Sequence, residues 1–331
     1  MLPDEVIDDS IEKLYGTPSE KLQAANQVAS LCVDIQVLQH VAEQNQLMSA
    51  FARLLADDSN DVELSFIIGK ILLVISKFEE FHEILSSHRI GATILSVIEL
   101  ELQRGHHRAE TKLCGCGFTT RQEHFLFICL SILANLAADN VATLRKMVKK
   151  GLVPLVIGCL QMKSARSVMV SLQLLKLSSI FEETVVEIAT QGHNVIPKLA
   201  TMLNLHCVQS DVISILFNMS FLEQCLDLIS NEDVHAFLLD NLHEEDLNPH
   251  VLCLAYHLSS KHENRQKFFA AGVSGYLMKI AKKQETDKAL AGLLVNVSWC
   301  VNTSNTSSFF QLSLILNYLM PPPDDITSTL C

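Results

Sequence analysis

One tryptophan, 12 glycines and 8 prolines in 331 residues leave this chain short of the turn formers and large aromatics on which a many-stranded β protein depends. Basic residues are scarce too. Twenty-five Lys and Arg face 37 Asp and Glu, a formal net charge of −12, which disfavours ligands whose affinity comes from phosphate neutralisation and so argues against nucleic acid. The same charge favours the approach of basic protein segments over acidic ones. The longest apolar run, near Phe125 to Ala137, is shorter than the roughly 20 residues of a bilayer-spanning helix, so no membrane insertion is expected. The first ten residues, MLPDEVIDDS, are acidic where a secretory signal is basic and then apolar, and the expected location is the cytoplasm.

Signatures of chemistry are equally thin. There is no G-x-S-x-G, P-loop or G-x-G-x-x-G element, and the carboxylate pairs Asp8-Asp9, Asp57-Asp58 and Glu244-Glu245 fall at loops or helix ends, where such pairs cap or solubilise. His106, His107, Cys114 and Cys116 form a metal-like cluster, but structural zinc sites pair cysteines as C-x2-C, and C-x-C beside adjacent histidines makes four tetrahedral bonds awkward. Cys32, Cys129, Cys159, Cys225 and Cys253 sit in apolar helical runs as small hydrophobes, which suits a reducing compartment. His235 and His257 occupy repeat positions with no nucleophile at a fixed offset, so a structural or partner-facing role outweighs a catalytic one. The sequence therefore reads as a non-enzyme without metal, cofactor or small-molecule substrate.

What is abundant is apolar residues, 49% of the chain, set at helical spacing. One signature recurs: LLVIS at Leu72 to Ser76, LANLA at Leu133 to Ala137, LLKLS at Leu174 to Ser178, LFNMS at Leu216 to Ser220, AYHLS at Ala255 to Ser259 and LVNVS at Leu294 to Ser298. The last five end 41, 42, 39 and 39 residues apart, the length of armadillo and HEAT units. Each closes a helix with one buried stripe, as in Ile128, Cys129, Ile132, Leu133 and Leu136, or Leu290, Leu293, Leu294 and Val297. Gln173 breaks the stripe and is expected to edge toward solvent or bond a neighbouring turn. Between signatures runs a second helix, opened by GLVPLVIGCL from Gly151, NVIPKLATML from Asn194, DVHAFLLDNL from Asp233 and GVSGYLMKIA from Gly272. Gly151 and Gly272 are expected in the left-handed conformation, and Pro154 and Pro197 in a first helical turn.

The predicted fold is all-α, an armadillo-like α-solenoid: a right-handed superhelix of three-helix repeats. Residues 1–18 read as an N-terminal helix and cap, 19–103 as two divergent repeats (Ser19 to Asp58 and Asp61 to Gln103), 104–120 as a loop spacer, 121–298 as armadillo repeats and 299–331 as an irregular tail. The last repeat lacks an obvious polar cap, which implies self-association or a partner over that end. In armadillo stacks the third helix lines the concave face. The column one step before the closing Leu-Ser reads Val74, Asn135, Lys176, Asn218, His257 and Asn296. From Asn135 onward these are the candidate partner-binding residues, with asparagine able to hold the backbone of an extended segment. Bonding within the stack is the equally weighted alternative.

The N-terminal third carries a family resemblance. The Val37-Leu38-Gln39-His40-Val41-Ala42 run, the Ala50 to Leu55 segment, the Phe78 to Phe81 stretch and the Ile90-Gly91-Ala92 step, followed later by RQEHFLFICLSILANLAAD, LLKLSSIF and VLCLAYHLS, resemble the kinesin-associated protein family over roughly residues 8–300. The resemblance implies an accessory subunit of heterotrimeric kinesin-II. Such a subunit binds the tails of two motor chains and links them to cargo along microtubules and in cilia by intraflagellar transport. It departs from the family in the short spacer Arg104 to Thr120, where members carry a long charged insertion, and in lacking an extended N-terminal region and repeats beyond Ser298, so tail contacts that need those repeats are expected to be lost. A nuclear-import adaptor is the alternative armadillo reading. That groove uses tryptophans one turn before the asparagines, and the corresponding residues here are Ser131, Leu172, Ser214, Cys253 and Gly292.

Overall fold

The computed structural model describes residues 3–57, 62–111, 117–138, 140–244, 247–283 and 288–298, and among them there is no strand. The chain divides into two units, 1–187 and 188–331.

Unit 1 holds α1 (Pro3–Lys13), α2 (Pro18–Leu31), α3 (Ile35–Glu43), α4 (Asn45–Ala56), α5 (Val62–Ser76), α6 (His82–Ser87), α7 (Ile90–Thr111), α8 (Thr120–Ala137), α9 (Val141–Lys149), α10 (Leu152–Cys159) and α11 (Ala165–Ser178). Three complete repeats emerge: α3 to α5, α6 to α8 and α9 to α11. Their second helices pack in series, α4 on α7 on α10, and their third helices likewise, α5 on α8 on α11. Ahead of them α1 packs on α4 and α2 on α5, so α1 and α2 are the second and third helices of an incomplete first repeat. This redraws the sequence-based partition of 19–103. The segment Asp61 to Gln103 joins the third helix of one repeat to the first two of the next.

α12 (Glu182–Thr190) crosses the boundary between units, and unit 2 continues with α13 (Gly192–Met202), α14 (Gln209–Met219), α15 (Glu223–Ile229), α16 (Glu232–Leu242), α17 (Pro249–Leu258), α18 (His262–Ala270), α19 (Val273–Lys283) and α20 (Lys288–Ser298). Here too second helices pack in series, α13 on α16 on α19, as do third helices, α14 on α17 on α20.

Local chemistry sets these boundaries. Thr17 and Glu20 form a reciprocal capping box on α2, with Thr17 N donating to Glu20 Oε2 at 2.7 Å and Glu20 N to Thr17 Oγ1 at 3.4 Å. The donation from the Thr17 amide lowers the Glu20 carboxyl below its ordinary pKa. Asp34, Thr119, Asn140, Ser164, Asn231 and Asn248 cap α3, α8, α9, α11, α16 and α17 through side-chain oxygens. Gly151 (φ 91°) and Gly272 (φ 71°) turn the chain in the left-handed region, and Arg89 (φ 57°) does the same before α7.

The predicted stripes are the core. Ile128, Cys129, Ile132, Leu133 and Leu136 are buried, as are Leu290, Leu293, Leu294 and Val297, while Gln173 is exposed. Burial pushes the Cys32 thiol up to about 11 and that of Cys159 to about 12, as fits cysteines acting as small hydrophobes.

Two sequence-based expectations fail on helix length. α7 runs on to Thr111, so the first part of the 104–120 spacer is helix, because nothing before Thr111 breaks it. The spacer therefore separates the second and third helices of one repeat; it does not lie between repeats. His106 and His107 are exposed on that helix, and Cys114 and Cys116 lie outside the described residues. Pro154 is in the first turn of α10, but Pro197 is the sixth residue of α13, which starts at Gly192 and so tolerates one missing amide donor inside the helix. The tail at 299–331 also lies outside the described residues.

Candidate protein-binding surface

The third helices bring the candidate column together in two groups: Val74, Asn135 and Lys176 on α5, α8 and α11, and Asn218, His257 and Asn296 on α14, α17 and α20. All six are half-buried. Their stripe neighbours anchor the helix and the next turn faces out, which is the outcome of period-3.6 patterning on a stacked helix.

Three of the column side chains share one hydrogen-bonding scheme. Asn135 Nδ2 donates to Ser76 Oγ at 2.9 Å, and Ser76 Oγ in turn donates to the Leu73 carbonyl at 3.0 Å. Asn296 Nδ2 donates to Ser259 Oγ at 2.9 Å, with Ser259 Oγ donating to the Tyr256 carbonyl at 2.6 Å. Ser220 Oγ donates to the Phe217 carbonyl at 2.6 Å and lies 2.7 Å from His257 Nδ1. A hydroxyl has one hydrogen, so this geometry makes His257 Nδ1 the donor and assigns the Nδ1–H tautomer. Burial lowers the His257 pKa, which keeps the ring neutral. Each rung ties a third helix to the serine that closes the third helix before it.

Where that serine is missing, the column residue changes with it. Ala137 ends α8 without a hydroxyl, and the next column position carries Lys176. The recurring signature by itself assigns the closing Ser no role. The paired change at Ala137 and Lys176 was the available signal that it is an acceptor.

An aromatic cluster flanks the column in unit 2. Phe217 stacks between His250 and His257, with centroids at 5.7 and 5.6 Å, and Phe221 meets His257 edge-on at 4.7 Å. Phe221 is 65% exposed. Periodicity missed this patch because Phe221 lies past the signature, in the turn. The positions an import adaptor would fill with tryptophan are otherwise used: Leu172 is fully buried, and Gly292 lies under the Tyr256 ring, where a Cβ would overlap it.

His235 belongs to the interior. Its Nε2 lies 2.8 Å from Asn264 Oδ1, while Asn264 Nδ2 donates to Ser230 Oγ and to the Leu258 carbonyl, both at 2.9 Å. Both amide hydrogens of Asn264 are spent, so His235 donates through Nε2–H, and its buried Nδ1 has no partner among the described residues. Among the described residues no group of three or more His, Cys, Asp or Glu is placed to hold a metal ion, and no helix is long and apolar enough to cross a membrane.

Stacked three-helix repeats with a hydrogen-bonded third-helix column define an armadillo-type α-solenoid. Solved structures agree at the level of fold. An engineered protein matches with TM-score 0.57 at 13% identity, over 94% of this chain and 82% of that one. A computationally designed armadillo repeat protein for modular peptide recognition matches with TM-score 0.53 at 15% identity, over 77% of this chain and 100% of that one. A designed armadillo repeat protein in complex with the peptide (KR)4 gives 0.50 at 14% identity, over 77% and 99%. The chain belongs to the kinesin-associated protein (KAP) family, whose model matches residues 4–114 and 106–319.

Proposed function

We propose that this protein is a non-catalytic accessory subunit of kinesin-II, binding the tails of its motor chains and linking the motor to cargo in microtubule-based and ciliary transport. The observation that carries the reading is the family match, which extends through both units. Cytoplasm, microtubules and the cilium are the locations that follow.

The third-helix face is the surface proposed for the motor tails, with Asn135, Lys176, Asn218, His257 and Asn296 along it. Designed armadillo proteins are made for peptide recognition, and one was solved with (KR)4 bound, which supports an extended segment as the ligand form. Asn135 and Asn296 each spend one amide hydrogen within the stack, so a tail would meet the second N–H and the carbonyl oxygen of these groups.

The test is a pull-down of the purified chain against the tail segments of the two motor subunits, with an importin carrier as control. Salt-resistant capture of motor tails and not of the importin supports the accessory-subunit reading. Importin capture without tail capture overturns it. Replacing Asn218 and His257 together by Ala is expected to weaken tail capture with helical circular dichroism retained, and unchanged capture would move the contact off the column.

A further inference from the structure

In unit 1 a groove of about 1030 Å³ lies between α6 and α7 on one side and α9 on the other. A smaller hollow of about 260 Å³ shares Ala92, Leu95 and Lys150 with it, so one cleft follows α7 and reaches Leu155 on α10. Its floor is small and apolar, made by Gly91, Ala92, Leu95, Leu136, Ala142 and Met147.

The rim has an unusual charge. Lys77 follows α5, Arg89 precedes α7, Lys146 lies on α9 and Lys150 just beyond it, and all four are exposed. Among the described residues none of the four forms an ion pair. Their neighbour Arg145 shows the contrast, since it lies 3.5 Å from Glu183 and over the Phe181 ring at 4.9 Å. Cations at the end of α9 also suit that helix's negative pole, which accounts for Lys146 and Lys150 but not for Lys77 or Arg89 on other elements. Glu79 and Glu83, with His82, line the α6 end. The groove is thus basic along α9 and at the start of α7, and acidic at α6 and, further along α7, at Glu99, in a chain whose net charge is −12.

We propose that this groove is a docking site for an acidic, extended segment of a partner protein. Partner carboxylates meet Lys146, Lys150 and Arg89, small apolar side chains rest on the Ala92 and Leu95 floor, and a neutral or basic end points toward Glu79 and Glu83. Charge complementarity argues for that occupant. Nucleic acid fits less well, because Glu79, Glu83 and Glu99 and the overall negative charge oppose a polyphosphate. The groove shares Ser76 and Asn135 with the third-helix column, but the proposal rests on the rim charges and is tested without a motor tail.

The experiment is fluorescence anisotropy on the full chain with a labelled ten-residue peptide in which Glu alternates with Ala and Leu, and the same peptide with Lys for Glu. The Glu peptide is expected to bind and to weaken as salt rises. Lys146→Glu with Lys150→Glu should weaken it at least tenfold, and Glu79→Lys with Glu83→Lys should tighten it several-fold. Ala142→Trp, on the exposed side of α9, should weaken it without any change of charge, with circular dichroism confirming the fold of each variant. Failure of the Glu peptide to bind, equal binding of the Lys peptide, or an affinity indifferent to the Lys146 and Lys150 reversal would each overturn the proposal.

Discussion

Two asparagines and a histidine donate to serine hydroxyls in the same way, although an amide and an imidazole share little beyond one N–H at the right reach. His257→Asn should therefore keep its rung, while His257→Ala should cost about 0.5–1.5 kcal/mol in urea denaturation. His235 differs in being interior and in having a bare Nδ1. Burial holds its pKa below the ordinary value, partly countered by the bond to Asn264. On acidification the unfolded chain then takes up the proton first, so stability is complete above about pH 6.5 and declines as pH falls toward the folded value. His257 adds to the decline with the same sign. His235→Gln should lower stability at neutral pH but make the loss on acidification shallower, as measured by unfolding midpoints between about pH 7 and about pH 5. Arg89, exposed at φ 57°, occupies a conformation glycine holds freely, and Arg89→Gly should raise stability by about 0.5–1 kcal/mol.

Among elements, the third helices were legible because the buried stripe and the Leu-Ser step return at nearly constant spacing. The division of the N-terminal third was not. α7 is 22 residues long where α13, α16 and α19 have 11, and that excess stretches the interval between LLVIS and LANLA until the register is lost. The rung at Ala137 and Lys176 offers a direct test of the serine rule. Ala137→Ser with Lys176→Asn should show a favourable coupling of about 0.5–1.5 kcal/mol in a double-mutant cycle, because only the pair recreates donor and acceptor. The cationic groove was beyond sequence reading altogether. Lys77 and Arg89 come from one segment and Lys146 and Lys150 from another, and only the fold brings the two pairs to one rim.

At the scale of the whole molecule, a repeat array carries its stability in contacts between neighbours, so damage stays near where it is made. Gly292→Ala, which forces a Cβ into the Tyr256 ring, should destabilise by about 1–3 kcal/mol. Amide hydrogen exchange should show the loss in α17 to α20 and leave α5, α8 and α11 protected. The long α7 has a further consequence. Near its base Glu101, whose carboxyl burial raises above its ordinary pKa, accepts from Gln122 Nε2 at 2.7 Å and pairs with Arg104, tying α7 to α8. Just beyond, a Cβ at Gly105 would strike the Phe118 ring and one at Gly117 would strike the Gly105 carbonyl, so the returning strand of chain meets the departing one at a pinch that only glycine allows. Gly105 and Gly117 thus hold the run-out of α7 against the lead-in to α8. Residues inserted after Thr111 are expected to leave the rungs in place, as the unfolding midpoint of such a variant would check, which would make this site a graft point for a label or a second binding module.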